Sequence, residues 1–256
     1  MNESTRELLV NGAREMGINL SPEQVKQFEL YREELIAWNR VFNLTGLEDS
    51  RGITIKHFID SLSLARAVEV RGDERIIDVG TGAGFPGLAI KIWQPGVNLC
   101  LLEAAGKPVK FLHHICNQLK LTGVEVIHGR AEKWGREAGY REEFDVVLAR
   151  AVAPLPVVLE YGLPFLRRGG RMVAFKGPRV YEEISRGKEA CMVLGGEMEK
   201  TIELSLPFGG GERVLIVVKK VTGTPAVYPR RAGLPARRPL GKNNLPVPQE
   251  GNGKSL

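Results

Sequence analysis

Cysteine is scarce in this chain: Cys100, Cys116 and Cys191 are three among 256 residues, scattered and odd in number. They form no CxxC pair, which excludes a disulfide framework and a zinc knuckle and points to a reducing compartment. Histidine is as sparse, and His113, His114 and His128 have no partner at metal-ligand spacing, so no metal is expected. No apolar run approaches the roughly 20 residues that a membrane span needs. The opening MNESTRELLV lacks the basic-then-apolar pattern of a secretory signal. A cytoplasmic protein with no membrane association is therefore expected, and a monomer is the expected state. Internal repeats are absent, which excludes a solenoid.

What is present is ordinary for a globular chain: 43% apolar and 26% charged residues. The formal charge of +6 is unevenly spread, with net values of −3 over 1–70, +2 over 71–218 and +7 over 219–256. A basic C-terminal segment suits phosphate, but such segments are as often merely solubilising, so charge alone leaves a nucleic-acid partner open.

The first 70 residues read as a helical cap. Ser21, Pro22 and Gln24 form a helix start with a capping box. Val25, Phe28, Tyr31, Leu35, Trp38 and Phe42 follow at spacings of three and four, a packing stripe. Asp49 or Ser50 suits the cap of a further helix through Ile55, Ile59, Leu62 and Ala65. From Arg75 the pattern changes to β-branched runs at 75–80, 97–103, 124–129, 144–150, 171–177 and 213–219. Helix-length segments at 86–93, 107–120 and 155–166 alternate with them. Strand–helix alternation predicts an α/β fold with a parallel sheet covered on both faces. The run 199–220 reads as two strands around a Gly-rich turn, an antiparallel hairpin closing that sheet. The organisation expected is a cap at 1–70, a core at 71–222 and a basic Pro/Arg-rich tail at 223–256. Residues 241–256 have too little apolar content to pack.

The most informative stretch is 76–87, in which an apolar strand ends at Asp78 and runs into Gly80, Gly82 and Gly84. Glycines at alternate positions let the backbone approach a ligand that a Cβ would push away. Glu103 closes the next strand 19 residues after Gly84, where an acid hydrogen-bonds ribose hydroxyls in doubly wound folds. A nucleoside site follows. Gly82, Gly84 and Gly87 also satisfy the dinucleotide fingerprint, so an NAD-dependent oxidoreductase stays an alternative. Three features favour S-adenosylmethionine instead: the Asp78–Gly80 pairing at the strand end, the small–acidic pair Ala131–Glu132 after the third strand, and the terminal hairpin.

These motifs converge with others. Asn43-Leu44-Thr45, His57 with Asp60-Ser61, DVGTGAGFPG, LLEAAGKPVKFL, GRAE, LARAVAPL, FKG and GERVLIVVKK together resemble the RsmG family, also called glucose-inhibited division protein B, in order over about residues 5–240. The resemblance implies a seven-stranded Rossmann-like methyltransferase sheet with an N-terminal helical cap. It also implies methylation of a guanine N7 in the decoding-region (530) loop of 16S ribosomal RNA, with the small-subunit RNA or the 30S particle as partner. Carried over, the cofactor site falls on Gly80, Phe85, Glu103, Ala104, Ala105, Ala131, Glu132 and Arg150, beside Asp78, Gly82 and Gly84 of the loop. Many relatives carry Asp where this chain has Glu103. The RNA-side candidates are Asn43, His57, Lys107, Arg130, Arg150 and Lys176.

Each has a plainer reading. His57 could be a solvated helix histidine, Arg150 and Lys176 structural ion pairs, and Lys107 part of a solvated helix face. Arg230, Arg231, Arg237 and Arg238 are read as phosphate contacts, since phosphate binding needs only charge and reach. Guanine N7 offers an in-plane lone pair and no proton, so its methylation needs no general base. That agrees with the absence of a Ser/His/Asp set, of paired catalytic carboxylates and of an Asp/Asn-Pro-Pro-aromatic motif. In-line alignment is then the expected source of catalysis. A ribosome-binding module with a vestigial donor site is the non-enzymatic alternative.

Overall fold

The computed structural model describes residues 4–241; the weakly apolar stretch after Gly241 lies outside the described residues. Helix α1 (Thr5–Glu15) starts at a capping box of Ser4 with Glu7. Helix α2 (Pro22–Phe42) starts at the Ser21–Gln24 box that the sequence predicts, and it buries Val25, Phe28, Tyr31 and Leu35. It ends at Asn43 in the left-handed region, φ 51°. The next helix, α3 (50–66), is capped by Asp49, whose carboxylate accepts the Gly52 amide at 2.7 Å. It is not the regular helix expected. An α turn at Ser50–Ile53 widens to a π-helix over Thr54–Ile59, returns to α at Asp60–Leu62 and tightens to 3-10 at Ser63–Arg66. The π segment re-aims side chains by one position, a device common at functional sites, and His57 lies inside it.

Seven strands follow: β1 (Arg75–Val79), β2 (Asn98–Glu103), β3 (Val124–His128), β4 (Phe144–Arg150), β5 (Leu166–Lys176), β6 (Gly196–Leu206) and β7 (Gly211–Lys220). They lie in the order β3-β2-β1-β4-β5-β7-β6, parallel throughout except that β7 runs antiparallel between β5 and β6. The expected mostly parallel sheet with a terminal hairpin is the one observed. Alternate residues of each strand point to opposite faces. On one face Ile76, Leu99, Leu101, Leu148 and Val173 meet the cap together with α4 (Gly87–Trp93) and α5 (Gly106–Gln118). On the other, Ile77, Leu102, Val147 and Ala174 meet α7 (Leu155–Gly162) and α8 (Ile184–Val193), with the short α6 (Ala131–Trp134) at the edge. Strand order reverses between β1 and β4, so the crevice outside their carboxyl ends is where a ligand is expected in such a sheet. Burial pushes the thiols of Cys116 and Cys191 up to about 11 and about 12, and both serve as packing residues.

The segment after Thr222 corrects the expectation of a separate tail. Arg136 donates to the carbonyls of Ala226, Val227 and Pro229, and Arg141 to those of Thr224 and Tyr228. Tyr228 and Leu240 are buried in the second core, and the short helix α9 (Leu234–Arg237) completes the strap. Arg230 is not a free phosphate contact either. Its Nε and Nη2 reach both oxygens of Glu160 at 2.8 and 2.6 Å, and Glu160 is 0% exposed. Arg231, Arg237 and Arg238 stay exposed.

Arg230→Ala should therefore lower unfolding free energy by about 3–5 kcal/mol, because it leaves the Glu160 carboxylate buried and uncompensated. The neighbouring Arg231→Ala should stay within about 0.5 kcal/mol of the parent. Denaturant unfolding of the two variants checks this; equal losses would refute it.

Candidate functional site

Strand β1 delivers Asp78 to the sheet edge, and the chain then turns through Gly80 (φ 71°), Gly82 (φ 57°) and Gly84 (φ 100°). Asp78 itself does not face the crevice. It is fully buried beneath the turn, where Oδ2 accepts the Thr81 hydroxyl at 2.6 Å and the Gly87 amide at 2.8 Å. Burial pushes its carboxyl up to about 6 against those two hydrogen bonds. The expected contact residue is thus a brace that fixes the loop to α4. The glycines differ in what they allow. A Cβ on Gly84 would strike Leu88 and the Tyr31 hydroxyl, whereas one on Gly82 would meet nothing within 4 Å. Gly82 therefore presents bare backbone to open space.

A hollow of about 270 Å³ lies at the ends of β1, β2 and β3, lined by Val79, Gly80, Leu102, Glu103, Ala131 and Tyr161, among others. Glu103 folds over its rim: Oε2 accepts the Gly82 amide at 2.9 Å and Oε1 the Ala105 amide at 2.7 Å. A carboxylate has about four acceptor positions, so both oxygens keep capacity for sugar hydroxyls. Glu132 accepts the Gly233 amide at 2.9 Å, tying the C-terminal strap to the hollow's wall. Apolar walls, a bare glycine backbone and a rim carboxylate fit an adenosine. A larger hollow, about 680 Å³, lies at the opposite sheet edge. Arg167 with Asp145, Arg171 with Glu199 and Arg71 with Glu69 pair its charges internally.

A second hollow, about 350 Å³, opens beside the first under the cap, at the ends of β4 and β5; its lining includes Lys56, His57, Asp60, Arg150, Lys176 and Arg213. Its centre is a buried ion array. Arg150 donates to Asp60 Oδ2 and to His57 Nδ1, each at 3.0 Å, and Arg213 donates to Asp60 Oδ1 at 2.9 Å. A guanidinium has no acceptor, so His57 Nδ1 is unprotonated and its Nε2–H donates to Thr45 Oγ1 at 2.7 Å. Burial and then the Arg150 charge lower His57 to about 3. The imidazole stacks on Phe85 at 4.5 Å, with the Arg150 guanidinium 5.1 Å from the same ring centre. Lys176 donates to the Ala153 carbonyl at 2.8 Å and to Glu183 at 3.0 Å, pinning the loop after β4.

The structure brings Gly80, Glu103, Ala104, Arg130, Ala131 and Glu132 around the first hollow, and His57, Arg150 and Lys176 around the second. Arg130 was expected on the RNA side, and Arg150 now stands away from the first hollow, as an ion pair. Phe85 turns its ring into the cap interface, between Tyr31 and His57. Ala105 and Lys107 are exposed at the start of α5. Asn43 lines neither hollow; it is the exposed left-handed cap of α2. Lys56, Arg213 and Tyr31 escaped sequence reading. The first two carried no local signal, and Tyr31 was legible only as one of a packing stripe. Among the described residues no cluster of His, Cys, Asp and Glu could hold a metal ion, and no helix is long and apolar enough to cross a membrane.

Comparison with known proteins adds an independent line. A family model described as rRNA small subunit methyltransferase G matches residues 24–212. Ribosomal RNA small subunit methyltransferase G of Caldanaerobacter subterraneus subsp. tengcongensis is 45% identical over 240 residues, covering 94% of this chain and 100% of that one. Its counterpart from Alkaliphilus oremlandii is 41% identical over 235 residues, covering 92% and 98%. Among solved structures, a mutant of MtNAS in complex with S-adenosylmethionine shares the fold with a TM-score of 0.52 at 19% identity, covering 77% of this chain and 75% of that one.

The depressed His57 value has a signed consequence for stability. Its unfolded value is 6.5 and its folded value about 3, so the unfolded chain takes up the proton first and stability falls as pH drops through that window. Asp78, raised from 3.8 to about 6, acts oppositely: its contribution is full below 3.8 and is lost as pH rises through 6. His57→Gln isolates the first effect, and that variant should lose less stability than the parent between pH 6.5 and about 4. Ring NMR of the parent should show the neutral Nε2–H form throughout that range. A ring that titrates near its ordinary value would refute the assignment.

Proposed function

The chain belongs to the rRNA small subunit methyltransferase G family, and from that footing we propose that it methylates N7 of a guanine in the decoding-region (530) loop of 16S ribosomal RNA. The chain is a methyltransferase of small-subunit ribosomal RNA that uses S-adenosylmethionine. When bound, the cofactor supplies an electrophilic methyl on a sulfonium. Glu103 would hold the ribose hydroxyls, with Gly80, Ala131 and Leu102 walling the adenosine and the Gly82 backbone left bare to receive it.

The observation that carries the choice of N7 is that the carboxylates and the imidazole at and beside the second hollow are already engaged by cations. Asp60 is held between two guanidiniums. His57 spends its lone pair on Arg150 and its proton on Thr45. Glu183 accepts from Lys176 and from the Leu155 amide. His57, lowered to about 3, is a weak base, and Asp60 and Glu183 are committed to cations, so the acceptor that fits best is a ring nitrogen with no proton to lose. Alignment of that nitrogen can contribute roughly 7–11 kcal/mol at best. Reaching the hollow takes the guanine out of its stack, at a cost of a few kcal/mol.

The RNA backbone would meet exposed cations. Lys56 lines the second hollow, Arg130 the first, and Lys107 is exposed at the start of α5; no ion-pair partner is seen for any of them among the described residues. With Arg231, Arg237 and Arg238 of the strap they form the phosphate-binding set we propose.

Incubation with labelled donor and small-subunit RNA, followed by N7-sensitive strand scission, should map one guanine in that loop; label at an amine or a ribose would overturn the assignment. A binding module without chemistry would hold the RNA and incorporate no label. Replacing Lys56, Lys107 and Arg130 by Gln should flatten the salt dependence of RNA binding by about 0.9 log units per lost contact with duplex phosphate and about 0.7 with single strands. An unchanged slope would remove these three from the interface.

A further inference from the structure

Helix α2 reaches into the glycine loop at one residue. Tyr31 is 0% exposed, and its hydroxyl donates to the Ala83 carbonyl at 2.5 Å across 52 residues of sequence. Its ring lies parallel to Phe85, with centres 5.1 Å apart and planes 12° apart. The loop is shaped around it: a Cβ on Gly84 would stand 2.6 Å from the hydroxyl. Burial holds the phenol well above its ordinary pKa, so it remains a neutral donor at any working pH.

We propose that Tyr31 is a positioning residue for the methyl-donor loop, acting through the Ala83 carbonyl. Ala83 lies between two left-handed glycines, Gly82 at φ 57° and Gly84 at φ 100°. Glycine backbones have the widest conformational freedom, so the intervening peptide is the least restrained by its own sequence. Other partners fix the loop at its flanks. Thr81 accepts the amides of Gly84 and Phe85, Asp78 holds Thr81 and Gly87, and Glu103 holds Gly82. Tyr31 supplies the restraint from the cap side at the loop's centre. A loop ordered beforehand binds its ligand without bearing the cost of ordering on association. The same residue joins the cap to the donor loop, since Phe85, on which it stacks, carries His57 and Arg150 on its other side. The inference rests on the donor lying over the glycine loop.

The test compares Tyr31→Phe, which removes one oxygen and keeps the ring, with Phe28→Leu, an equally buried change on α2 at a side chain with no polar atom to bond the loop. Calorimetric titration with S-adenosylhomocysteine should show the Tyr31→Phe dissociation constant raised roughly five- to tenfold, the size of one buried hydrogen bond. Amide exchange over 82–85 in the ligand-free protein should quicken, and kcat at saturating donor should stay near the parent's. Phe28→Leu should lower Tm while leaving donor affinity and loop exchange unchanged. If Tyr31→Phe shows only that pattern, Tyr31 is a packing residue and the proposal falls. No binding heat from the parent would bring down the donor-site reading itself, and the proposal with it.

Discussion

The carboxyl edge of the sheet depends on one buried carboxylate. Asp60 is 3% exposed, and it is tolerated there because Arg150 from β4 and Arg213 from β7 each bond one of its oxygens. A buried charge of this kind is strongly unfavourable unless every partner is in place. The array therefore specifies how the cap sits on the sheet more than it adds stability. Through Arg150 it also fixes the protonation and tilt of His57, and through His57 the position of Thr45 on the loop after α2. One geometric requirement thus joins cap, β4 and β7 at the mouth of the second hollow.

The glycine loop is governed by a complementary logic. Three residues with positive φ leave its backbone bare and inherently loose, so neighbours at every side restrain it: Asp78 from beneath, Glu103 from the next strand and Tyr31 from the cap. Looseness is what lets a ligand approach the backbone; restraint is what makes the approach reproducible. Between the two hollows stands the chain running from Arg150 to Val152, whose Ala151 adopts φ 54°. That strained residue turns Arg150 toward one hollow and Val152 toward the other. A reaction that requires alignment and no proton transfer suits a site built this way.

Much of this was legible beforehand where the signal is local. Ser21 and Gln24 announce the start of α2, Asp78 to Gly84 announce the loop, and Glu103 announces the rim carboxylate, because capping, positive φ and strand-end placement act within a few residues. The 199–220 hairpin was legible for the same reason. Misreadings arose where burial or partners decide. Asp78 and Glu103 are the same chemistry at the ends of adjacent strands, yet one is sealed under a turn and the other stands at the rim. Arg230 looked identical to Arg231 until Glu160, 70 positions earlier, claimed it.

The sequence by itself determined the alternation of strands and helices, the turn that needs glycine, and the family to which these motifs point, since each depends on residues a few positions apart. Only the tertiary structure decided that α3 opens into a π-helix, that the basic strap is docked, and that Arg150 bonds both Asp60 and His57 instead of standing free. Those outcomes depend on contacts between distant segments and on how far water is excluded from them, and no short stretch of chain encodes either.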